Sequence, residues 1–374
     1  SRGSLGRRFF GCSCGGCWSS VGPDPRFAIP DSRPPTPDPR PPPKIPLHNS
    51  NTMNLLITGC AGFIGARTTQ LALDGGHQVV GIDNLNDYYD VRLKRHRLEP
   101  LLASAGFEFH ANDIEDGAAL DKIFASHRFD AVINLAARAG VRASIEDPHV
   151  YMRTNTVATL NLLERIVRHE VPKLVIASTS SLYAGQPMPF TEDANVTRPI
   201  SPYAATKLAA EALCHVWHHL HQVDLSVLRY FTVYGPAGRP DMAPFRFSEW
   251  IRRGQPITLF GDGSQTRDFT YIDDIARGTL AALKPLGYEI INLGGGNTPV
   301  AVNSMIHSLE QHLGKSATIN FQPAIAADMQ DTAAEISKAA EMLDWTPLTS
   351  PEDGFRMTAE WHARQAGWLD SVVL

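Results

Sequence analysis

Tyr203 and Lys207, in "SPYAATKLAAEAL" (201–213), stand four residues apart. At that spacing both side chains project from one face of a helix. A tyrosine is a poor base, with a free pKa of ~10. A neighbouring ammonium favours its phenolate. A phenolate can take the proton from an alcohol while hydride leaves the carbon. A second group of reactive residues lies in "ASTSSLY" (177–183), which supplies Thr179, Ser180 and Ser181 after the apolar run 173–176. These hydroxyls can hydrogen-bond a reacting oxygen. Neither serine can act as a general acid near neutral pH, so the stretch lacks the acid an elimination needs.

A tyrosine–lysine pair occurs often by chance and gains meaning only from what positions it. Ser201 is suited to cap the helix and Pro202 to its first turn. Far upstream, Gly59-Cys60-Ala61-Gly62-Phe63-Ile64-Gly65 follows the apolar run 54–58 directly. Gly59 permits a tight turn, Gly62 lets backbone approach a pyrophosphate, and Gly65 lets a helix pack on the strand. The helix start that follows offers free N–H groups to phosphate. The second apolar run ends in Asp83, followed by Asn84. A carboxylate there accepts from a ribose 2′-OH and repels a 2′-phosphate, which favours NAD over NADP. Asp113, closing a third run, is placed either to reach the adenine or to cap its loop.

The elements that carry these residues alternate. Runs at 54–59, 78–83, 107–113, 130–137, 173–178 and 225–231 read as strands, with amphipathic stretches such as 154–169 between them. Such alternation predicts an α/β fold, a Rossmann-type doubly wound parallel sheet. The motifs fall beyond the carboxyl ends of the strands, where ligands bind such sheets. A run at 289–296 reads as a strand returning to the main sheet. Stretches 305–314 and 353–365 read as helices of a smaller part. The expected division is an NAD-binding domain at 53–231, joined by 268–296, and a smaller α/β C-terminal substrate-binding domain at 232–267 and 297–374.

Composition breaks near residue 52. Residues 1–52 hold eleven of the 27 prolines, including "PDSRPPTPDPRPPPKIP" (30–46), so helix and sheet ladders are excluded there. This Pro/Arg-rich arm is expected to be disordered or extended, with Met53 starting the folded protein. "GRRFFG" (6–11) lacks the apolar continuation of an export signal. Cys12, Cys14 and Cys17 lack a fourth ligand at a familiar spacing. Cys60 and Cys214 are isolated, so a reducing cytoplasm is the expected compartment. A net charge of -5 gives no reason to expect nucleic acid or an anionic membrane as partner. No stretch approaches the roughly 20 apolar residues of a membrane span. "HVWHHLHQ" (215–222) sets His215, His218 and His219 on one helical face. No carboxylate is interleaved, so this reads as helix surface rather than a metal site.

The glycine triplet, Thr179, and the Tyr203/Lys207 pair resemble the extended short-chain dehydrogenase/reductase superfamily over 53–374. More narrowly, "GIDNLNDYYDVRLKRHRL" (81–98), "NLAARAGVRAS" (134–144), "RYFTVYGPAGRPDM" (229–242) and "GDGSQTRDFTYIDDIARG" (261–278) resemble the UDP-glucuronate 4-epimerases. This chain departs from that pattern at Ala184, where glycine is usual, and at Glu335, where aspartate is more frequent.

The resemblance implies C4′ epimerisation through a 4-keto sugar with tightly held NAD. It implies that Thr179 bonds the sugar 4′-oxygen beside Tyr203, and that Ala136, Ala137 and Asn155 line the cofactor. Thr232 and Arg239 would lie near the sugar carboxylate, aided by Ser180 and Ser181, and Arg267 would reach the UDP diphosphate. Two bland readings stand beside these: Arg239 as a solvated loop residue, and Arg267 in an ion pair with Asp268. Related 4,6-dehydratases carry Asp-Glu, and decarboxylases a Glu, where Ser180 and Ser181 stand. UDP-glucose 4-epimerases commonly carry Asn at the position of Thr232. A UDP-glucose epimerase and a non-catalytic nucleotide-sensing scaffold are the alternatives. A homodimer through 154–169 and 203–221 is also implied.

Overall fold

Apolar runs too short for helices form the strands of the main sheet. The computed structural model describes residues 52–296, 299–324 and 329–374. Expectations for the proline-rich arm and its three cysteines therefore lie outside the described residues. The strands are β1 (Asn54–Thr58), β2 (Gln78–Ile82), β3 (Phe107–His110), β4 (Ala131–Asn134), β5 (Lys173–Thr179) and β6 (Asp224–Tyr230). Then come β7 (Thr232–Tyr234), β8 (Ile257–Phe260), β9 (Thr266–Arg267), β10 (Phe269–Tyr271), β11 (Tyr288–Leu293), β12 (Val300–Ala301) and β13 (Ile319–Gln322). Seven of them make one sheet in the order β3-β2-β1-β4-β5-β6-β11. Every pairing in it is parallel. The return of β11 beside β6 agrees with the sequence reading. Strands at 107–113 and 130–137 were expected to run longer. They end at His110 and Asn134, where the chain turns outward to form the site wall.

Helices cover both faces, as a parallel sheet requires. They are α1 (Phe63–Asp74), α2 (Val91–Leu102), α3 (Gly117–Ser126), α4 (Val141–Glu146), α5 (Pro148–Tyr151), α6 (Ala158–Arg168) and α7 (Pro202–His221). Beyond them lie α8 (Ala243–Arg253), α9 (Ile272–Ala281), α10 (Val302–Leu313), α11 (Ser337–Leu343), α12 (Pro351–Arg364) and α13 (Ala366–Leu369). Strand side chains alternate between two cores. Leu56, Val132, Leu174 and Val227 meet α3, α6 and α7. Leu55, Ile133, Val175 and Leu228 meet α1, α9 and α11. A third core joins Phe247, Ile257, Leu259, Met305 and Phe355 around β8, α8, α10 and α12. At ~25 cal/mol per Å² of apolar surface, each fully buried Leu or Ile contributes about 2 kcal/mol.

The helix read at 154–169 is not uniform. Met152–Val157 is a π-helical segment, and α6 starts only at Ala158. Such wide turns shift side chains out of α register and often mark functional sites. Here the buried Asn155 is the residue it re-aims. Among the described residues no helix is long and apolar enough to cross a membrane.

Candidate active site

The strand ends and the residues beyond β7 enclose a cavity of about 960 Å³. That is near the upper limit for one small-molecule site. Every site residue expected from the sequence lines it except Asn155. Asn155 stands behind the wall: its Oδ1 accepts from Arg138 N (2.8 Å), and its Nδ2 donates to Arg138 O (2.9 Å) and Thr206 Oγ1 (3.0 Å). It braces the lining backbone instead of facing a ligand.

On the floor, Ser201 Oγ accepts from Ala204 N (3.2 Å) and Pro202 takes the first turn of α7, as expected. Thr179 ends β5, and its Oγ1 accepts from Ser181 N (3.1 Å) and donates to Ser181 Oγ (3.2 Å). Burial pushes the Tyr203 phenol up, while its hydrogen bond to Thr179 and the charge of Arg239 pull it back. Lys207 Nζ donates to the carbonyl of Ala177 (2.8 Å). Burial lowers Lys207 to about 8, with the Glu211 carboxylate opposing that fall. The sequence reading gave the lysine the task of supporting the phenolate. In the structure Lys207 also ties α7 to the end of β5, and Arg239 is a second cation that favours the Tyr203 phenolate. The short turn Ser180–Tyr183 follows. Ala184 has φ -52, a conformation open to any residue, so its departure from glycine costs no strain.

The glycine turn fits a dinucleotide. Gly59 has φ +69, and a Cβ there would stand 2.7 Å from Ala136 N. A Cβ on Gly65 would stand 2.0 Å from Gly59 O. α1 starts after Gly62 with no side-chain cap, leaving its first N–H groups for a phosphate. Asp83 accepts from Ala61 N (3.2 Å) and Leu85 N (2.8 Å), keeping lone pairs for a ribose. Asn84 Nδ2 donates to Asp113 Oδ2 (2.6 Å), so these two predicted residues act as a unit.

Across the cavity, Arg239 makes a fork to Asp241, through Nε (3.0 Å) and Nη2 (2.5 Å), and reaches Ala139 O (3.3 Å). It is therefore held in place rather than solvated. Arg267 donates to Thr266 O (2.7 Å) and Gln330 O (3.0 Å). The Asp268 carboxylate instead accepts from Gly295 N and from Ala334 N (2.8 Å). His215 and His218 pack on the Tyr288 ring, at 5.2 and 5.7 Å, on the outer side of α7.

Several lining residues were not singled out from the sequence. Lys94 Nζ lies 3.6 Å from Asp83 Oδ1, with both side chains buried. Tyr88 donates to Ala139 O (2.8 Å) and lies under the Arg138 guanidinium (5.1 Å). Arg142 covers the Phe260 ring (4.4 Å). Each falls in or beside a stretch that resembles a known family, but none has a spacing that marks it.

A parallel doubly wound sheet, a glycine turn after its first strand, Thr179 at the end of its fifth and a Tyr/Lys pair on α7 define a nucleotide-dependent enzyme of the short-chain dehydrogenase/reductase type. Residues 55–294 match the NAD dependent epimerase/dehydratase family, and the chain belongs to it. It is 55% identical over 317 residues to a UDP-glucuronate 4-epimerase of Thermodesulfobacterium geofontis, spanning 85% of this chain and 98% of that one. Among solved structures it resembles the UDP-glucuronic acid 4-epimerase of Bacillus cereus, determined with UDP-glucuronic acid and NAD. There the TM-score is 0.79 at 39% identity, covering 83% of this chain and 99% of that one. A UDP-glucose 4-epimerase of Thermotoga maritima, with UDP-glucose, gives a TM-score of 0.77 at 30% identity, covering 84% and 100%.

Proposed function

We propose that the protein interconverts UDP-glucuronate and UDP-galacturonate by inverting C4′ through a 4-keto sugar. The observation that carries this reading is the hydroxyl-only loop of Thr179, Ser180 and Ser181 beside Tyr203. The 55% identical relative supports the choice of sugar. Bound NAD supplies the hydride acceptor for C4′ and the donor for its return. Gly59, Gly62, Phe63, Ile64 and Gly65 cradle its pyrophosphate. Asp83 with Lys94 takes a ribose, and Asn84 with Asp113 takes the adenine side. Ala136 and Ala137 line the nicotinamide half, and Asn155 braces the backbone of Arg138 that follows them.

Tyr203 takes the 4′-OH proton and gives it back after the sugar has turned over. Thr179 bonds the same oxygen. Lys207 holds the helix that carries Tyr203 against β5. The 4-keto uronate is a β-keto acid and loses carbon dioxide when its C5–carboxyl bond aligns with the carbonyl π-system. Ser180, Ser181, Thr232 and Arg239 grip the carboxylate and keep that bond out of alignment, the arginine by a charge-assisted bond. Arg267 holds the diphosphate.

We assign residues 53–231 with 268–296 to the cofactor part and 232–267 with 297–374 to the sugar-nucleotide part. The apolar core around β8, α8 and α10, joined at its edge by Phe63, Phe269, Tyr271 and Ile272 of the cofactor part, supports that division. We also propose a homodimer through the face of Val157, Val216 and Leu220, apolar residues that are each more than two-fifths exposed. The buried free thiols Cys60 and Cys214 support a cytoplasmic setting.

The test gives the full chain UDP-glucuronate and UDP-glucose in parallel and identifies products by NMR. The expected result is UDP-galacturonate with its carboxyl intact and slower turnover of UDP-glucose. Decarboxylated UDP-pentose as the main product, or faster turnover of UDP-glucose, rejects the assignment. No turnover of either sugar, with NAD and nucleotide sugar still bound, points to the scaffold.

A further inference from the structure

One turn beyond Lys207 on α7 lies Glu211, paired with Arg229 of β6 at 2.8 Å, the side chains 6% and 2% exposed. Removing two charges from water costs several kcal/mol per ion before pairing repays it. Apolar side chains would fill the same space without that cost, so the pair calls for another explanation.

Its hydrogen bonds supply one. Glu211 Oε1 accepts from Ser178 Oγ (2.5 Å) and Arg229 Nε (3.1 Å). Arg229 Nη1 donates to Tyr183 OH (2.9 Å), which donates to Asn292 Oδ1 of β11 (2.7 Å). Asn292 Nδ2 donates to Phe190 O (3.0 Å) and Glu335 O (3.2 Å). Ser178 and Tyr183 are the two residues that bracket Thr179, Ser180, Ser181 and Leu182. One buried network therefore grips the hydroxyl loop at both ends and ties it to the helix carrying Tyr203 and Lys207.

We propose that Glu211, with Arg229, is the positioning residue that registers the Thr179–Ser181 loop against Tyr203. It touches neither sugar nor cofactor and acts by fixing the distance between two groups that do. The inference rests on the epimerase reading above. It assigns the register of the loop to a buried ion pair acting beside the apolar packing of Leu182 and Tyr183 on Phe190, Ala204 and Phe231. Misplacing reacting groups by about 1 Å can cost roughly 100-fold in rate while leaving binding nearly intact.

The test uses two variants of the full chain, with kcat, KM, product composition and Tm measured for each. Glu211→Gln keeps the volume but turns an amide toward Arg229. Ser178→Ala removes one hydrogen bond at the near end of the loop and leaves the ion pair. Glu211→Gln is expected to lower kcat by about 10- to 100-fold with KM within about threefold of wild type. Ser178→Ala is expected to lower kcat in the same way by less, with Tm lowered by only a few degrees. In both, the share of decarboxylated product rises, because the serines that grip the carboxylate have lost their anchor. Should Glu211→Gln fail to fold, Ser178→Ala decides alone. Wild-type kcat and product ratio in the folded variants, or a loss carried by KM alone, overturns the inference. Tyr203→Phe separates the two levels. Wild-type turnover by Tyr203→Phe would sink the epimerase mechanism itself. An inactive Tyr203→Phe beside unchanged Glu211→Gln and Ser178→Ala sinks only the positioning role.

Discussion

Tyr203 and Lys207 hang from a 20-residue helix, α7, whose inner face is locked to β5 and β6 by Lys207, Glu211 and Arg229. Arg239 and Arg267, on the opposite wall, come from a loop and a two-residue strand. They are held by Asp241 and by backbone carbonyls. The floor is built from long elements with buried, satisfied polar groups. The wall is built from side chains whose current partners a ligand could replace. That division suits a reaction in which one oxygen must be met precisely while a sugar turns over above it. Rigid elements hold reacting groups more accurately than loops do.

The comparison predicts which changes strike chemistry and which strike recognition. Tyr203→Phe removes the proton acceptor from the floor. It should lower kcat by about 10³-fold with KM little changed, measured by steady-state turnover of UDP-glucuronate. A comparable rise in KM would move Tyr203 to the recognition side. On the wall, Arg239→Lys keeps the charge but loses the fork. It should lower kcat/KM for UDP-glucuronate by about 10- to 100-fold and alter UDP-glucose turnover far less. Equal losses for both sugars would mean that Arg239 does not read the carboxylate.

A pH profile gives the smallest and most specific signal. Burial lowers Lys207 to about 8, so its ammonium is present below that pH and lost above it. kcat should therefore fall as pH rises through about 8. Lys207→Arg, always charged, should remove that limb. A limb that persists in Lys207→Arg belongs to another group.

The same division decides what could be read before the fold was known. The floor was legible because each part has a local signal. A strand followed by three glycines, a carboxylate closing the next strand, and a Tyr/Lys pair behind a Ser-Pro helix start all lie within short windows. Asn155 was read as lining the cofactor, because no spacing rule anticipates the π-helical segment that turns it inward. Lys94, Tyr88 and Arg142 were missed because their roles depend on contacts between elements far apart in sequence. Lys94 meets Asp83 only after α2 folds back toward the end of β2, and Arg142 meets Phe260 of β8. The Glu211–Arg229 pair was equally hidden, since "LAAEAL" and "VLRYF" each read as ordinary buried segments. The loop serines stood out for the carboxylate they lack, and the structure adds what anchors them.

The central claim is that one oxygen is deprotonated on the floor while its carbon gives up hydride and takes it back within the same closed site. The most direct test supplies UDP-glucuronate carrying deuterium at C4′ to the NAD-loaded full chain in ordinary water. The account predicts UDP-galacturonate with deuterium retained at the inverted C4′ and the carboxyl in place. Product with hydrogen at C4′, or labelled substrate returned without epimerised product, would contradict it.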